Sequence, residues 1–596
     1  MNYNPQQLAA IEHQGGTLLL SAGAGSGKTA VLAARIARLV MLGVPVENML
    51  VVTFTNAAAA EMKRRVRLRL SEAAEDDSLP PAARLNARAG LLALPSAMIC
   101  TLHAFCTSVL RRHFAACGLD PAFRAGDDFE SGALAAASAT EAIAASVVEG
   151  DPAFLAFYDG FGGRNGRALP DLLLSSWNFL TTRADIDGYL EESLKRFDAT
   201  PNELAISGAV KTILNHYSRR CTQAASILKS TAAELPKTDE GMAVCNLLLS
   251  DADALTAFSV QLRAGRATLD DLASYKFPRL NFKRDSILPK ERIKAARDRA
   301  KSLVSPGSLK VDARLSDSVF QSELLSMQKP QAEAFVNLIR RFRSIYSAKK
   351  DERGIVDFSD MEQLALKALS DPEIAKEYQR RFTHIFIDEY QDSSEIQEAI
   401  IGTFAQGKDV FLVGDVKQSI YSFRAAKPEL FLERARKAKL GEGTVLPLNV
   451  NYRTSPPLLR CVNDLFSRAM KGAVSYGQDD ELQPGRQDTG ATKLNVRVLF
   501  GEQNGADAIE TEARLAAALI KERMKHPIGE GDNTRMPVFE DFCILLRTVS
   551  STAEVFCQVL AAEGIPSFAD LTGGYFDAIE VQVLFNLLRL VDDRRQ

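Results

Sequence analysis

The sequence predicts an α/β protein in which a large, mostly helical insertion interrupts a parallel sheet, followed by a second, smaller α/β block. Three observations support this fold class. The first block alternates β-like runs (TLLLS, MLVVTFT, AMICTL) with amphipathic helical stretches, a pattern typical of a parallel sheet covered by helices. A glycine-rich loop follows the first run. Further β-like runs return at THIFIDE (383–389) and DVFLVGD (409–415) after a long segment that has few.

These patterns divide the chain into four segments. Residues 1–103 and 346–440 form one sheet-containing lobe, and residues 104–345 form the helical insertion between its two parts, rich in Ala, Leu, Lys, Arg and Glu at helical spacing. Residues 441–596 form the second block. It contains KLNVRVLF (493–500) and DFCILLRT (541–548) as β-like runs, with helices around 507–524 and 581–590.

Composition bounds the class of protein. The chain has 596 residues, 46% hydrophobic and 25% charged, which is ordinary for a globular protein of several domains. Its net charge of -3 gives no overall basic signal, so any nucleic acid would have to bind in a local cleft. We find no run long and apolar enough to cross a membrane and no secretory signal, and we expect a cytoplasmic protein without a membrane partner.

The cysteines agree with that location. The eight cysteines form no CxxC pair and no tight cluster. We interpret them as scattered thiols in a reducing compartment, and a metal site is the less favoured alternative.

The stretch AGAGSGKT predicts a phosphate-binding loop. Glycines let successive backbone N–H groups turn toward phosphate oxygens, Lys28 can reach the β- and γ-phosphates, and the Thr29 hydroxyl can bind magnesium. The alternative is a glycine-rich turn, but residue frequencies give such a match by chance in only roughly a few of every hundred chains of this length. We therefore predict a site for ATP and Mg²⁺ at Ala22, Gly23, Ala24, Gly25, Ser26, Gly27, Lys28 and Thr29.

Two strand ends supply the acids that hydrolysis needs. HIFIDEYQD presents Asp388 as a magnesium ligand and Glu389 as the base that orients and deprotonates water, and VGDVKQS presents Asp415 and Gln418. Solvated acids at an exposed strand end are the alternative. Because parallel strands end at one edge of a sheet, we expect these acids to meet Lys28 despite several hundred intervening residues.

The order of the motifs resembles the superfamily I helicases of the UvrD/Rep type. The resemblance covers nearly the whole chain and is weakest across the helical insertion. The phrases VDFSDME, VKQSIYSFR and PELFLER look most like the AddA subunit, the RecB-like helicase–nuclease of bacterial AddAB complexes. The motifs are YNPQQLAAI, AGAGSGKT, TFTNAAAAEMKRRV, CTLHAF, IDEYQDSS, VGDVKQSIYSFRAAKPELF and NVNYRTSPPLL.

The resemblance implies the fold and the roles of further residues. It implies two RecA-like lobes, the second incomplete here, that step 3′ to 5′ along single-stranded DNA in recombination and double-strand-break repair with an AddB-type partner. Gln7 reads the adenine edge and Tyr452 stacks on the base. Gln418 senses the γ-phosphate, and Arg453 reaches it from the second lobe, where an arginine can stabilise the charge of phosphoryl transfer.

The same resemblance implies a DNA-binding set. Aromatic faces stack on any base at about 1–3 kcal/mol each, so they hold a strand without reading its sequence. Interior packing is the alternative for these aromatic residues. The basic run KRRVRLRL at 63–70 could follow phosphates or form a solvated helix face, and the sequence leaves both open. The predicted DNA-binding residues are Phe54, Thr55, His103, Tyr421 and Phe423.

The sequence departs from the family pattern in several places. Ala57 and Ala30 stand where lysine and arginine are usual, and Phe423 replaces a tryptophan. The later motifs and the C-terminal nuclease with its cysteine cluster are not recognised, so we expect the N-terminal part of a longer protein. We expect this part to bind ATP, to hydrolyse it weakly or not at all, and not to unwind DNA.

Three other functions remain open from the residues. A stand-alone UvrD/Rep repair helicase would use the same chemistry. A nucleotide-switched module that only binds DNA or protein is a different class, and an RNA helicase is a third. The full catalytic set argues against a pure binding module: Lys28, Thr29, Asp388, Glu389, Gln418 and Arg453.

Overall fold

The computed structural model divides into two compact units, Met1–Leu448 and Asn449–Gln596, which are described separately. It describes residues 3–161, 168–283, 286–422, 425–470, 476–477, 479–486, 496–498, 507–529, 534–548, 552–569 and 579–592.

A six-stranded parallel sheet organises the first unit. Its order is β3-β2-β6-β7-β1-β8, and two short parallel pairs, β4 with β5 and β9 with β10, lie apart from it. The strands are β1 Thr17–Ala22, β2 Met49–Thr53, β3 Met98–Thr101, β4 Arg124–Ala125, β5 Ile355–Val356, β6 His384–Ile387, β7 Asp409–Gly414, β8 Thr444–Leu448, β9 Val450–Asn451 and β10 Gln483–Pro484.

Helices make up most of the described chain. Side-chain caps begin many of them; the Asp357 side chain, for example, accepts the Asp360 N–H at 2.8 Å at the start of α18. The helices are α1 Pro5–Glu12, α2 Lys28–Met41, α3 Asn56–Glu75, α4 Pro81–Ala93, α5 Leu102–Arg112, α6 Phe114–Cys117, α7 Asp128–Glu149, α8 Pro152–Phe161, α9 Ala168–Leu180, α10 Ile186–Lys195, α11 Pro201–Ala205, α12 Gly208–Ala233, α13 Asp239–Arg263, α14 Leu269–Ser274, α15 Lys290–Val304, α16 Leu309–Ser316, α17 Ser318–Arg353, α18 Phe358–Leu369, α19 Pro372–Arg381, α20 Glu395–Gly402, α21 Pro428–Lys439, α22 Pro456–Ala469, α23 Ala508–Arg523, α24 Ala553–Ala562 and α25 Ile579–Asp592.

The sheet is buried on both faces, as its apolar strands require. In β1, Leu18 and Leu20 pack into one core with α2, α3 and α4, whereas Leu19 packs into the opposite core with α5, α18, α19 and α20. Alternate side chains of a strand point to opposite faces, so one short run feeds two cores. The predicted α/β fold class with a parallel sheet is confirmed.

The helical insertion has two cores of its own. The first is built mainly from α12, α13 and α15, and the second from α7, α9 and the C-terminal half of α17. A buried ion pair lies in the first core, where Arg297 Nη2 is 2.8 Å from Asp251 Oδ2 and the Tyr275 hydroxyl donates to Asp251 at 2.8 Å. Two small cores explain how the segment folds beside the sheet without entering it.

Two elements near the predicted domain limits pack with the sheet. Helix α5 places Phe105 and Val109 in a sheet-face core, and β8 pairs with β1, with Leu20 opposite Leu446. The first unit therefore reaches Leu448, beyond residue 440. The assignment of the four segments to lobes and insertion stays a prediction.

The second unit has a small described core. Ala517 and Ile520 of α23 pack with Leu560 of α24 and with Ile565. The predicted strand at DFCILLRT is wrong, because no described segment pairs with 541–548 and a strand exists only through hydrogen bonds to a neighbour. Of KLNVRVLF, only 496–498 lie within the described residues, and no strand forms there.

Two helices correct the expectation about membrane-length segments. By length and composition, α7 and α13 are apolar enough to cross a membrane. Both contribute a buried face to the insertion, α7 through Leu134 and Ile143 and α13 through Leu248 and Leu255. Alanine-rich helices of a protein core satisfy the same length and composition test.

Gly90 tests the packing of α4 on α2. A Cβ on Gly90 would lie 2.5 Å from Val40 Cγ1, so we expect Gly90→Ala to lower the free energy of unfolding by about 1–3 kcal/mol. A Cβ on Gly132 of α7 would meet nothing within 4 Å, so Gly132→Ala should stabilise by about 0.5–1 kcal/mol through helix propensity. Urea unfolding followed by circular dichroism measures both, and equal effects would contradict this packing.

Candidate nucleotide site and adjoining cavity

The glycine-rich loop joins β1 to α2 at the carboxyl edge of the sheet. Gly25 and Gly27 have φ values of 70° and 87°, a left-handed conformation that favours glycine. The Ser26 hydroxyl donates to the Gly23 carbonyl at 2.8 Å, and the Gly23 N–H donates to the Leu448 carbonyl at 2.9 Å. The predicted strand–loop–helix is confirmed, and its own hydrogen bonds hold the loop in shape.

The lysine of this loop meets the acids that follow β6. Lys28 Nζ lies 3.4 Å from Glu389 Oε2, and the Asp388 N–H donates to the Val52 carbonyl at 3.0 Å. The register explains the meeting, because β1, β7 and β6 are parallel neighbours that end at the same edge. The expected convergence of Lys28 with these acids is confirmed.

Both acids have unusual environments. Glu389 has a φ of 53°, which is uncommon for a residue with a side chain and is stored strain of the kind found at functional sites. Burial raises the pKa of Asp388 to about 6, and the neighbouring Glu389 charge adds to the rise, while Lys28 opposes it. A buried carboxyl beside a lysine is well suited to hold a cation.

Gln391 is a residue of this site to which the sequence assigned no role. Its Nε2 donates to Glu389 Oε2 at 2.9 Å, and its Oε1 accepts the Asp415 N–H at 2.9 Å. Asp415 in turn accepts from Gln418 Nε2 at 2.7 Å. The side chain is 1% exposed, so Gln391 links the loop after β6 to the loop after β7. Its place inside IDEYQDSS was the available signal.

Gln7 lies beside the phosphate loop. Its Nε2 donates to the Ser26 carbonyl at 2.9 Å, and its Oε1 accepts the Asn4 N–H at 3.0 Å in a capping box at the start of α1. A Cβ on Gly27 would lie 3.1 Å from Gln7 Nε2, so glycine is needed there for space as well as for conformation. The predicted role of Gln7 in reading adenine stays a prediction.

A cavity of about 390 Å³ extends from the acids toward the predicted DNA-binding residues. Phe54 is 41% exposed, and its ring is stacked 5.1 Å from that of Tyr421, centroid to centroid. Such exposure argues against simple interior packing of Phe54. Phe423 lies outside the described residues. The cavity is lined in part by Phe54, Thr55, His103, Asp388, Glu389 and Tyr421.

His103 has a buried acidic neighbour at the far end of this cavity. Its Nε2 lies 3.5 Å from Glu362 Oε1, which also accepts from Gln397 Nε2 at 2.9 Å. The ring packs edge-on against Phe358, with centroids 5.1 Å apart. Glu362 and Gln397 are therefore parts of the cavity that the sequence did not identify.

The basic run on α3 forms ion pairs along its own helix. Glu61 pairs with Arg64 at 2.7 Å and with Arg65 at 2.6 Å, and Arg69 lies 3.4 Å from Glu72. The hydrogen bonds from Arg64 and Arg65 lower the pKa of Glu61 to about 2. These pairs favour the solvated helix face over phosphate tracking for these three arginines.

Tyr452 and Arg453 belong to the second unit. They follow β9, where Asn451 Oδ1 accepts the N–H groups of Arg453 at 2.8 Å and Thr454 at 2.7 Å. Tyr452 is 41% exposed. The turn is therefore well fixed, and the predicted nucleotide roles of Tyr452 and Arg453 stay predictions.

The parallel sheet, the glycine loop and the acids beside Lys28 define a RecA-like P-loop NTPase lobe. The family model for the UvrD/REP helicase N-terminal domain matches residues 3–439, and the model for the UvrD-like helicase C-terminal domain matches 446–596. The chain belongs to the UvrD/REP helicase family.

Curated relatives are named as the A-type chain of an ATP-dependent helicase/nuclease. The chain is 33% identical to that of Alkaliphilus metalliredigens over 626 residues, covering 100% of this chain and 51% of the relative. It is 33% identical to that of Geobacillus kaustophilus over 643 residues (100% and 51%) and 31% identical to that of Syntrophomonas wolfei over 662 (99% and 52%). The chain spans about half the length of these relatives, and its predicted resemblance to UvrD/Rep and AddA proteins is confirmed.

Asp388 gives the site a pH-dependent cost. Its pKa is raised to about 6 from 3.8, so its charge disfavours folding above pH 6. As the pH falls through 6, the folded carboxyl binds a proton before the unfolded one and the cost disappears. We expect Asp388→Asn to raise the free energy of unfolding by about 1–3 kcal/mol at pH 7.5 and by less at pH 5.

Urea unfolding in EDTA, without nucleotide, measures this difference. Asp371→Asn, at the start of α19, is a control outside the site. A gain for Asp388→Asn that is the same at both pH values would contradict the assignment.

Proposed function

We propose that this chain is the ATP-driven motor portion of a DNA helicase of the AddA type. One observation supports this above the others: the Lys28–Glu389 pair at 3.4 Å opens onto a cavity that exposes a stacked pair of aromatic rings. A nucleotide site and a stacking surface in one cavity suit a protein that couples phosphate chemistry to holding a strand.

The residues at the loop fit ATP and Mg²⁺. Left-handed glycines leave backbone N–H groups for phosphate oxygens, and Lys28 adds a positive charge that is 14% exposed. Thr29 and Asp388 would hold the metal, which supplies charge neutralisation when bound. The raised pKa of Asp388 fits a carboxyl that is completed by a cation.

The remaining polar groups would position water and detect the γ-phosphate. Glu389 is the base for the attacking water, since Gln391 holds its carboxylate at 2.9 Å from the amide nitrogen. Gln418 would contact the γ-phosphate and signal through Asp415, to which it is bonded at 2.7 Å. Gln7 and Tyr452 would hold the base, and Arg453 would act from the second lobe.

The proposed substrate is single-stranded DNA, entered from a duplex. Phe54, Thr55, His103 and Tyr421 line the cavity and would contact bases or backbone, and Phe423 is proposed for the same role from its motif. Translocation from 3′ to 5′, a cytoplasmic location and an AddB-type partner follow from the similarity to helicase/nuclease proteins. The intact protein would act in recombination and double-strand-break repair.

Two substitutions separate binding from hydrolysis. We expect Lys28→Ala to weaken binding of a fluorescent ATP analogue with Mg²⁺ by about 10- to 100-fold, because a charged contact to phosphate is lost. We expect Glu389→Gln to keep that affinity within about threefold and to lower phosphate release by about 10²- to 10⁴-fold, because the base is lost.

Phosphate release is measured with this chain and with the intact protein, each with and without single-stranded DNA. Glu47→Gln, in the turn before β2, is the control. Unchanged phosphate release by Glu389→Gln would favour a nucleotide-switched binding module, and unchanged nucleotide affinity of Lys28→Ala would contradict the site.

The stacked rings predict how the strand is held. We expect Phe54→Ala and Tyr421→Ala each to weaken binding of labelled oligo-dT by about 1–3 kcal/mol, because each removes a stacking face. Phe129→Ala on α7, where the ring is 70% exposed outside the cavity, should leave affinity unchanged. Fluorescence anisotropy at fixed salt measures this, and equal effects of all three, or preference for oligo-U, would contradict a DNA-holding surface.

A further inference from the structure

A short segment of the helical insertion is bonded directly to the sheet lobe. Residues Thr181–Arg183, called the strap, follow α9. The Thr182 carbonyl accepts the Ile396 N–H of α20 at 3.2 Å, and Gln363 Nε2 of α18 donates to the Thr181 carbonyl at 2.9 Å and to the Arg183 carbonyl at 2.8 Å. Three backbone carbonyl contacts fix the strap to two helices of the lobe.

An ion cluster adds to these contacts. Arg183 Nη1 lies 2.9 Å from Glu395 Oε2, and Lys427 Nζ also pairs with Glu395. The Arg183 guanidinium lies over the rings of Phe179 and Tyr189, 4.4 and 4.7 Å from their centroids, and its side chain is 15% exposed. Stacking and partial burial hold the charge in one place, unlike a free surface pair. Arg183, Glu395 and Lys427 are called the junction.

The junction joins the two loops that carry the nucleotide-site residues. Glu395 begins α20, directly after the loop that contains Glu389 and Gln391. Lys427 lies in the connection after β7, and its N–H donates to the Ser393 carbonyl at 3.0 Å. Burial acts to raise the pKa of Glu395, but the hydrogen bonds from Lys427 and Arg183 outweigh it and lower the pKa. Glu395 is therefore held as an anion between the insertion and both loops.

The strap also lines the cavity. Thr181 and Thr182 face it together with His103, while Asp388 and Glu389 line it as well. A strand lying in this cavity would contact the strap, whose next residue holds Glu395. The strap is therefore the one described segment of α9–α10 that contacts both the cavity and the nucleotide-side loops.

We propose that the strap and the junction couple occupancy of the cavity by single-stranded DNA to the affinity of the loop site for ATP. The inference rests on the proposed function and adds a route between its two ligands. Arg183 and Glu395 act as positioning residues, because they reach the site only through the loop. Coupling of this kind is reciprocal: DNA changes ATP affinity by the same factor by which ATP changes DNA affinity.

The test measures this factor rather than activity. The dissociation constant of a fluorescent, non-hydrolysable ATP analogue with Mg²⁺ is determined for this chain with and without saturating oligo-dT. We expect about a fivefold or greater change in the wild type. Arg183→Ala and Glu395→Gln should reduce the factor to near one, while the affinity for each ligand alone changes by less than about threefold.

Matched variants separate coupling from folding. Arg343→Ala removes an ion pair inside the insertion, to Asp187 at 3.0 Å, and should keep the wild-type factor. Arg183→Lys keeps the charge and should restore part of it. The double variant Arg183→Ala/Glu395→Gln should match the single variants, because both remove one interaction. Circular dichroism checks folding, and Glu395→Gln and Arg183→Lys carry the test if Arg183→Ala unfolds.

The outcomes are distinct. Binding of both ligands without coupling in the wild type, or full coupling in folded Arg183→Ala and Glu395→Gln, would overturn the inference and leave the proposed function intact. A wild-type chain that binds neither ATP analogue nor oligo-dT would overturn the proposed function, and the inference with it.

Discussion

The contact between Lys28 and Glu389 is the interaction on which the rest of the site depends. It joins residues from opposite ends of the first unit, 3.4 Å apart, at the one sheet edge where β1 and β6 both end. It also makes the adjacent buried Asp388 tolerable, because the lysine charge opposes the rise in its pKa. Without a cation here, burying two neighbouring carboxyl groups would strongly disfavour folding.

Around this contact, amide side chains do the work that charge alone cannot. Gln391 bonds the carboxylate of Glu389 and the backbone of Asp415, so the loops after β6 and β7 move as one piece. Further out, Gln397 and Glu362 extend hydrogen bonds toward His103. Buried amides can donate and accept at once, which suits them to connect acidic groups that would otherwise repel.

The helical insertion is attached at few points, which lets it have its own cores and still touch the site. Where α17 meets α18, Lys350 pairs with Asp357 at 2.8 Å and lies 4.0 Å from the ring centroid of Tyr346. The strap makes a second attachment. Breaking a buried pair of this kind is costly because one charge is left unpaired, so the attachments favour one arrangement.

The sequence alone determined the fold class, the phosphate loop and the acids, because apolar strands, positive-φ glycines and strand-end carboxylates are local signals. It also carried the motif order that places the chain in the UvrD/REP family. It did not determine the link made by Gln391, the Glu362 neighbour of His103 or the strap at Arg183, and it placed a strand at 541–548 where none forms. Those features were decided by tertiary structure, because each depends on which distant segments pack together rather than on spacing along the chain.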